Sequence, residues 1–338
     1  MTRTTIITDT APPEYRPSRP DLRKFSSLTA KHDAGWANWW LLGFNLIAVL
    51  LLQWHAPLPI EWDSLVTLAA GAALLVGIGL FYTHIRRRPV FAAMCFAILQ
   101  FLLFSAIGCL FSYLVAQEGG PLQDDMLARW DAALGFDWIG YVRWVDSQPW
   151  LVPVYKLAYA SLVPQIALLI IVQGFANRLP LMRQTLFAAM LCGTICIILS
   201  SLVPAVSNFV HLGLTAKDFA HVDPYAGYLH LAHFTALRDG SLTSLALPDM
   251  QGIITFPSYH AGLASVTAWS FYRTPGLRIP GVILSLLTIA ATPVDGGHYL
   301  VDVIAGIIIA VFSITVTHFA LREPRPAEAS LPLAPALA

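Results

Sequence analysis

Eight apolar runs joined by polar links leave this chain few ways to fold. A membrane-spanning helix needs about 20 mostly apolar residues. Runs of that kind are read at 37–54, 63–84, 90–116, 151–174, 184–206, 258–273, 279–294 and 297–320. The first, sixth and seventh are short or carry polar residues. In lipid every backbone N–H and C=O must be paired within the chain, so such runs become helices. A soluble alternative lacks the polar surface it needs. Only 12% of the residues are charged and 57% are hydrophobic, whereas a soluble domain carries about 25% charged residues. The expected fold class is all-α: a polytopic transmembrane helical bundle, with interfacial helices in its outer loops and the bilayer as its main partner.

Basic residues orient the bundle, because Lys and Arg are retained on the cytoplasmic face. Arg86, Arg87 and Arg88 follow the second run, and Arg178 and Arg183 the fourth. Arg273 and Arg278 follow the sixth, and Arg322 and Arg325 the eighth. All fall on one side, together with Arg3, Arg16, Arg19, Arg23, Lys24 and Lys31 of the Pro-rich start. Both termini are expected in the cytoplasm, as disordered tails over 1–34 and 322–338. No signal peptide is read in the polar start. The short loops and the Ala-, Leu- and Arg-rich composition point to a bacterial inner membrane. The net charge of +0 says little about partners, and no nucleic-acid partner is expected. Cys95, Cys109, Cys192 and Cys196 lie inside apolar runs and are expected to act as small hydrophobes.

Two connections on the outer side are long. Residues 117–150 mix Trp130, Trp138, Trp144 and Trp150 with Asp124, Asp125, Asp131 and Asp137, a pattern suited to helices lying at the interface. Residues 207–257 hold His211, His221, His230, His233, Arg238 and Asp239. Long loops gathered on one face are where function concentrates.

Ionisable groups at the ends of spans are costly and point to function. Phe256-Pro257-Ser258-Tyr259-His260-Ala261-Gly262 opens the sixth run, and Asp295-Gly296-Gly297-His298-Tyr299-Leu300-Val301-Asp302 opens the eighth. Both openings fall on the outer side and can meet. His298 and Asp302, four apart at a helix start, share a face. The carboxylate can then fix the imidazole tautomer and free the other nitrogen to attack. His260 can protonate a leaving oxygen. The helix N-termini offer N–H groups and positive dipole ends to a phosphate. Ser258 can cap its helix or touch phosphate, and Gly296 and Gly297 allow close backbone approach to a ligand.

Pro-Ser-x-His followed about 40 residues later by His-x-x-x-Asp resembles the type-2 phosphatidic acid phosphatase superfamily. The fuller wording is closer to the inositolphosphotransferase branch, related to fungal inositol-phosphorylceramide synthase. The resemblance covers roughly 120–320. It implies His298 as the nucleophile that becomes a phosphohistidine, Asp302 as its orienting acid and His260 as the general acid. It also implies a phosphate-contacting turn at Ser258, and neither metal nor cofactor; Gly297 is expected beside it as a phosphate-binding residue. The substrate would be a lipid phosphate or phospholipid and the acceptor an alcohol or water. The expected divisions are N-terminal spans over 35–116 and a catalytic membrane core over 117–321, its site facing outside.

The sequence departs from the superfamily in its phosphate cradle. Ala291 and Thr292 stand where a Ser-Arg pair is usual. Lys156 is followed by Val163-Pro164 where the pattern has Arg-Pro. Positive charge is still needed against the transition state. Arg238 is the expected replacement, with Lys156 second, and Tyr155, Tyr159, Gln165 and Tyr259 are expected pocket residues. Other readings are a lipid transporter or flippase using the same polar cluster, and a scaffold with a degenerate site. His230 and His233 could be a metal pair, but a wet loop pair fits better. Asp124-Asp125 lacks the second aspartate cluster of a prenyl-diphosphate site and reads as an interface helix start.

Overall fold

The structure is a computed structural model, and it describes residues 35–321. The expected tails at 1–34 and 322–338 lie outside the described residues. Among those residues the fold is a helical bundle without strands; a single parallel bridge joins Ile60 and Leu245.

Three long helices come first: α1 (Gly35–His55), α2 (Trp62–Leu80, continued by a π-turn to Ile85) and α3 (Pro89–Gln117). Two short amphipathic helices follow, α4 (Asp124–Ala133) and α5 (Trp138–Asp146). Next come α6 (Leu151–Ala160), α7 (Leu162–Phe175) and α8 (Leu179–Leu202). After an irregular segment containing α9 (Leu231–Asp239), three helices close the fold: α10 (Tyr259–Tyr272), α11 (Arg278–Asp295) and α12 (Leu300–Ala320).

Among the described residues six helices are long and apolar enough to cross a membrane: α1, α2 with its π-turn, α3, α8, α11 and α12. The run at 151–174 is two helices, α6 and α7, bent by 55°. Pro164 explains the break, since its ring would clash with the Ala160 carbonyl of a continuous helix. The sixth expected run becomes α10, only 14 residues long. Its companion α12 begins at Leu300, which leaves His298 in the turn after α11.

The core packs α3, α7, α8, α10 and α12 around Ile166, Met182, Leu186, Ala189, Cys192, Cys196 and Ala264. Cys192 and Cys196 are free and buried here. Polar side chains pair between helices. Asn38 bonds Gln100, and Asn45 bonds Thr194. Gln173 donates to Ser270 and Thr274. In apolar surroundings such pairs satisfy groups that would otherwise be left bare.

Small residues bring the two motif helices together. A β-carbon at Gly306 would overlap the Ser258 carbonyl oxygen, and one at Gly262 would sit 2.7 Å from the Cys192 sulfur. Close approach at small residues is a common way for membrane helices to cross. The Ser258 N–H then donates to the Asp302 carbonyl (3.0 Å), tying the start of α10 to the first turn of α12.

The basic residues 178 and 273 also meet. Arg178 donates to the Arg273 carbonyl, and Arg273 donates to Gln184. The α7–α8 and α10–α11 turns therefore lie side by side. At the opposite end Asp146, the last residue of α5, accepts the N–H groups of Ala220, His221 and Val222, fastening the irregular segment to α5.

Candidate active site

His298 lies in the turn between α11 and α12, almost fully buried. Its Nδ1 is 3.3 Å from an oxygen of the fully buried Asp302. The same oxygen accepts the Tyr299 N–H (2.9 Å), so the carboxylate is held while it holds the ring. The Thr255 carbonyl also hydrogen-bonds the His298 ring, and the Trp138 indole N–H donates to the His298 carbonyl (3.0 Å). Burial pushes the His298 pKa down from 6.5 to about 4, against the pull of the Thr255 carbonyl. The ring is therefore neutral, with a lone pair available, at neutral pH.

His260, in the first turn of α10, faces His298 with ring centroids 6.4 Å apart. Tyr159 stacks on the other face of His260 at 4.4 Å and 12°. Gly296 permits this arrangement, because a β-carbon there would lie 2.7 Å from the His298 ring and 2.8 Å from the Tyr159 hydroxyl. All four residues line one cavity of about 450 Å³, which also takes in Tyr259, His230 and Thr255. That is within the usual size range for small-molecule sites. Among the described residues its lining holds no Lys or Arg; its ionisable groups are the imidazoles of His230, His260 and His298, the phenols of Tyr159 and Tyr259 and the Cys109 thiol. A neutral imidazole aimed by a carboxylate, with a second imidazole one ligand's width away, suits nucleophilic and acid–base chemistry on one bound group.

Other expected site residues sit elsewhere. The Arg238 guanidinium donates to the Gly120 carbonyl (2.6 Å) and lies over the Phe234 ring, so it does not line the cavity. Lys156 is exposed on α6. The Tyr155 hydroxyl pairs with Tyr141 (3.1 Å). Gln165 is buried among Ser161, Thr267, Ser285 and Thr288, bonding α7 to α10 and α11. The Ser258 hydroxyl accepts the Ala261 N–H as a helix cap and does not reach the cavity. Gly297, at φ +65°, packs against Ser207 and Phe209, and its carbonyl accepts the Asn208 N–H (2.7 Å). His230 and His233 diverge: His233 meets the Tyr113 hydroxyl (2.8 Å), while His230 lines the cavity.

The start of α12 also differs from the expected phosphate cradle. Its Leu300 and Val301 N–H groups donate to the two Asp131 oxygens at 2.8 and 2.9 Å. Burial raises the Asp131 pKa, and these two donors pull it back down. Asp124 accepts the Tyr299 hydroxyl (3.0 Å) and the Val206 N–H. One helix, α4, thus grips the start of α12, just after His298, at two points. No local pattern announces these contacts, which join residues about 170 positions apart. The nearest sequence signal was an aspartate-rich helix facing a helix start that lacks an Asx or Ser cap.

A sequence model of the PAP2 superfamily matches residues 125–316, more than half of the chain. The chain belongs to the PAP2 superfamily. Its members are phosphoryl-transfer enzymes, so membership supports a general phosphatase or phosphotransferase role and a phosphorylated, lipid-type substrate. Neither a curated protein nor a solved structure matches the chain. The PAP2 segment begins in α4 and contains both histidine motifs. Helices α1, α2 and α3 lie outside it, yet α3 supplies one wall of the cavity.

Proposed function

We propose that this PAP2 protein transfers a phosphoryl group from a membrane lipid through a phosphohistidine at His298. The observation that carries the reading is the juxtaposition, in one cavity, of the His298–Asp302 pair and the His260 ring. Asp302 holds the Nδ1–H of His298 by a hydrogen bond, and Nε2 attacks phosphorus. The bond from phosphorus to the leaving oxygen breaks, and His260 protonates that oxygen. In the second half an acceptor hydroxyl attacks phosphorus, its proton passes to His260, and the N–P bond breaks to restore His298. The acceptor is an alcohol, giving a new headgroup, or water, giving a phosphatase. Tyr159, stacked on His260, holds that ring in place. His230, and the N-terminal end of α10 with its partial positive charge, support the phosphate in place of Arg238. The basic turns lie in the cytoplasm and the site faces the outer side of a bacterial inner membrane.

The test is hydrolysis and headgroup exchange by the purified chain, comparing wild type with His298→Ala. Turnover is expected to fall about 10⁴-fold or more, as when a nucleophile is removed. Vanadate, an analogue of the five-coordinate phosphorus, is expected to inhibit the wild type. Turnover that survives His298→Ala would remove the reading.

A further inference from the structure

The cavity holds more than a phosphate needs. One of its walls is a stripe on α3: Phe101, Phe104, Ser105, Gly108, Cys109 and Ser112. These positions repeat at helical spacing and cover about 16 Å of axis at 1.5 Å per residue. One leaflet of a bilayer is about 15 Å deep in hydrocarbon.

The wall is less polar than its names suggest. The Ser105 hydroxyl donates to the Phe101 carbonyl (2.8 Å) and the Ser112 hydroxyl to the Cys109 carbonyl (2.6 Å). Both donors are spent on their own helix, and what remains toward the cavity is mostly carbon. Opposite the wall lie Val163, just past the α6–α7 break, and Leu263 of α10.

Part of the cavity's lining is exposed, on α3, at the α6–α7 bend and at Gly252. Ser105 and Val163 both line the cavity and are both exposed, Val163 by 59%. They belong to α3 and to the bent pair α6–α7, which together are apolar enough to span. An opening between them would give onto lipid. A ligand that enters there comes from the bilayer.

We propose that the α3 stripe holds the hydrocarbon chain of the lipid substrate, that the chain slides in between Ser105 and Val163, and that Gly108 sets how much chain fits. A β-carbon at Gly108 would meet Ile197 and Phe104 at 3.6 Å, ordinary contact, so this helical glycine can be replaced without a clash at the backbone. The rest of a larger side chain would then occupy the cavity. Because α3 lies outside the PAP2 segment, the chemistry and the chain selectivity come from different parts of the sequence.

The inference rests on the phosphoryl-transfer reading only for the headgroup, and the test separates the two. Long- and short-chain alkylphosphonates, which cannot be hydrolysed, are bound to the purified full chain by calorimetry, alongside turnover of the matching alkyl phosphates. Two variants are compared: Gly108→Leu inside the cavity and Ser105→Trp at its lipid-facing mouth, where added bulk has room. The wild type is expected to bind the long chain more tightly than the short one. In either variant that preference is expected to fall about tenfold, the cost of losing about two buried methylenes. No chain preference in the wild type, or an unchanged preference in both folded variants, would overturn the inference. Chain-selective binding that responds to the variants, with no phosphoryl transfer by the wild type, would leave the chain site standing and refute the phosphohistidine reading instead.

Discussion

His298 is held at three points: Asp302 on Nδ1, the Thr255 carbonyl at the ring, and Trp138 on its own backbone carbonyl. Its burial has a consequence for folding as well as for reactivity. The folded pKa is depressed to about 4 from the usual 6.5, so between these values the unfolded chain binds a proton that the folded chain does not. This contribution to stability is fully present above 6.5, falls as the pH drops toward 4 and levels off below. Thermal unfolding in detergent between pH 7 and pH 4 is expected to show Tm falling on acidification. The fall is expected to be shallower in His298→Asn, which cannot take the proton. An identical pH dependence in the two proteins would mean that the ring titrates normally. Both histidines and Asp302 were legible in the sequence, because each sits in a short motif at a helix start. The Thr255 and Trp138 contacts were not, because they arise only when distant loops fold over the same turn.

Helix α12 begins without a side-chain cap from its own neighbours apart from Asp302, and α4 supplies one from far away in sequence. Asp131 accepts two of the N–H groups that a helix start leaves bare. The same contact fixes the turn that aims His298, so Asp131 is a positioning residue. Asp131→Asn retains one acceptor oxygen and puts a donor in place of the other. It is expected to lower kcat about tenfold with little change in KM, while removing about 1 kcal/mol of stability, typical of a lost cap. Asp131→Glu is expected to recover part of kcat. A loss of Tm with kcat unchanged would make the contact purely structural. The sequence marked 117–150 as aspartate- and Trp-bearing helices, and α4 and α5 are short amphipathic helices that carry those residues. It could not say that Asp124 and Asp131 face inward, since both faces of α4 carry aspartate: Asp125 is exposed while Asp124 and Asp131 are buried. The α6–α7 break was half legible in Pro164. Its value to the site, bringing Tyr159 against His260, depends on where α10 packs.

Across the whole molecule, the apolar runs forecast a helical bundle, and the basic turns forecast which connections gather at one end. The placement of Arg238 was beyond reach, because its distance from the histidines is set by how the long segment before α10 folds back onto Gly120. The cavity likewise belongs to no single motif: α3, α7, α8, α10 and the turn before α12 each give it a side. Its chemistry is tested most directly by trapping the intermediate on the intact protein. Purified chain is incubated with a lipid phosphate radiolabelled in the phosphoryl group, denatured in alkali to preserve a nitrogen–phosphorus bond, and mapped by peptide mass spectrometry. Label on the His298 peptide, absent in His298→Ala, is the predicted result. Turnover without label on His298, or label on another residue, would contradict it.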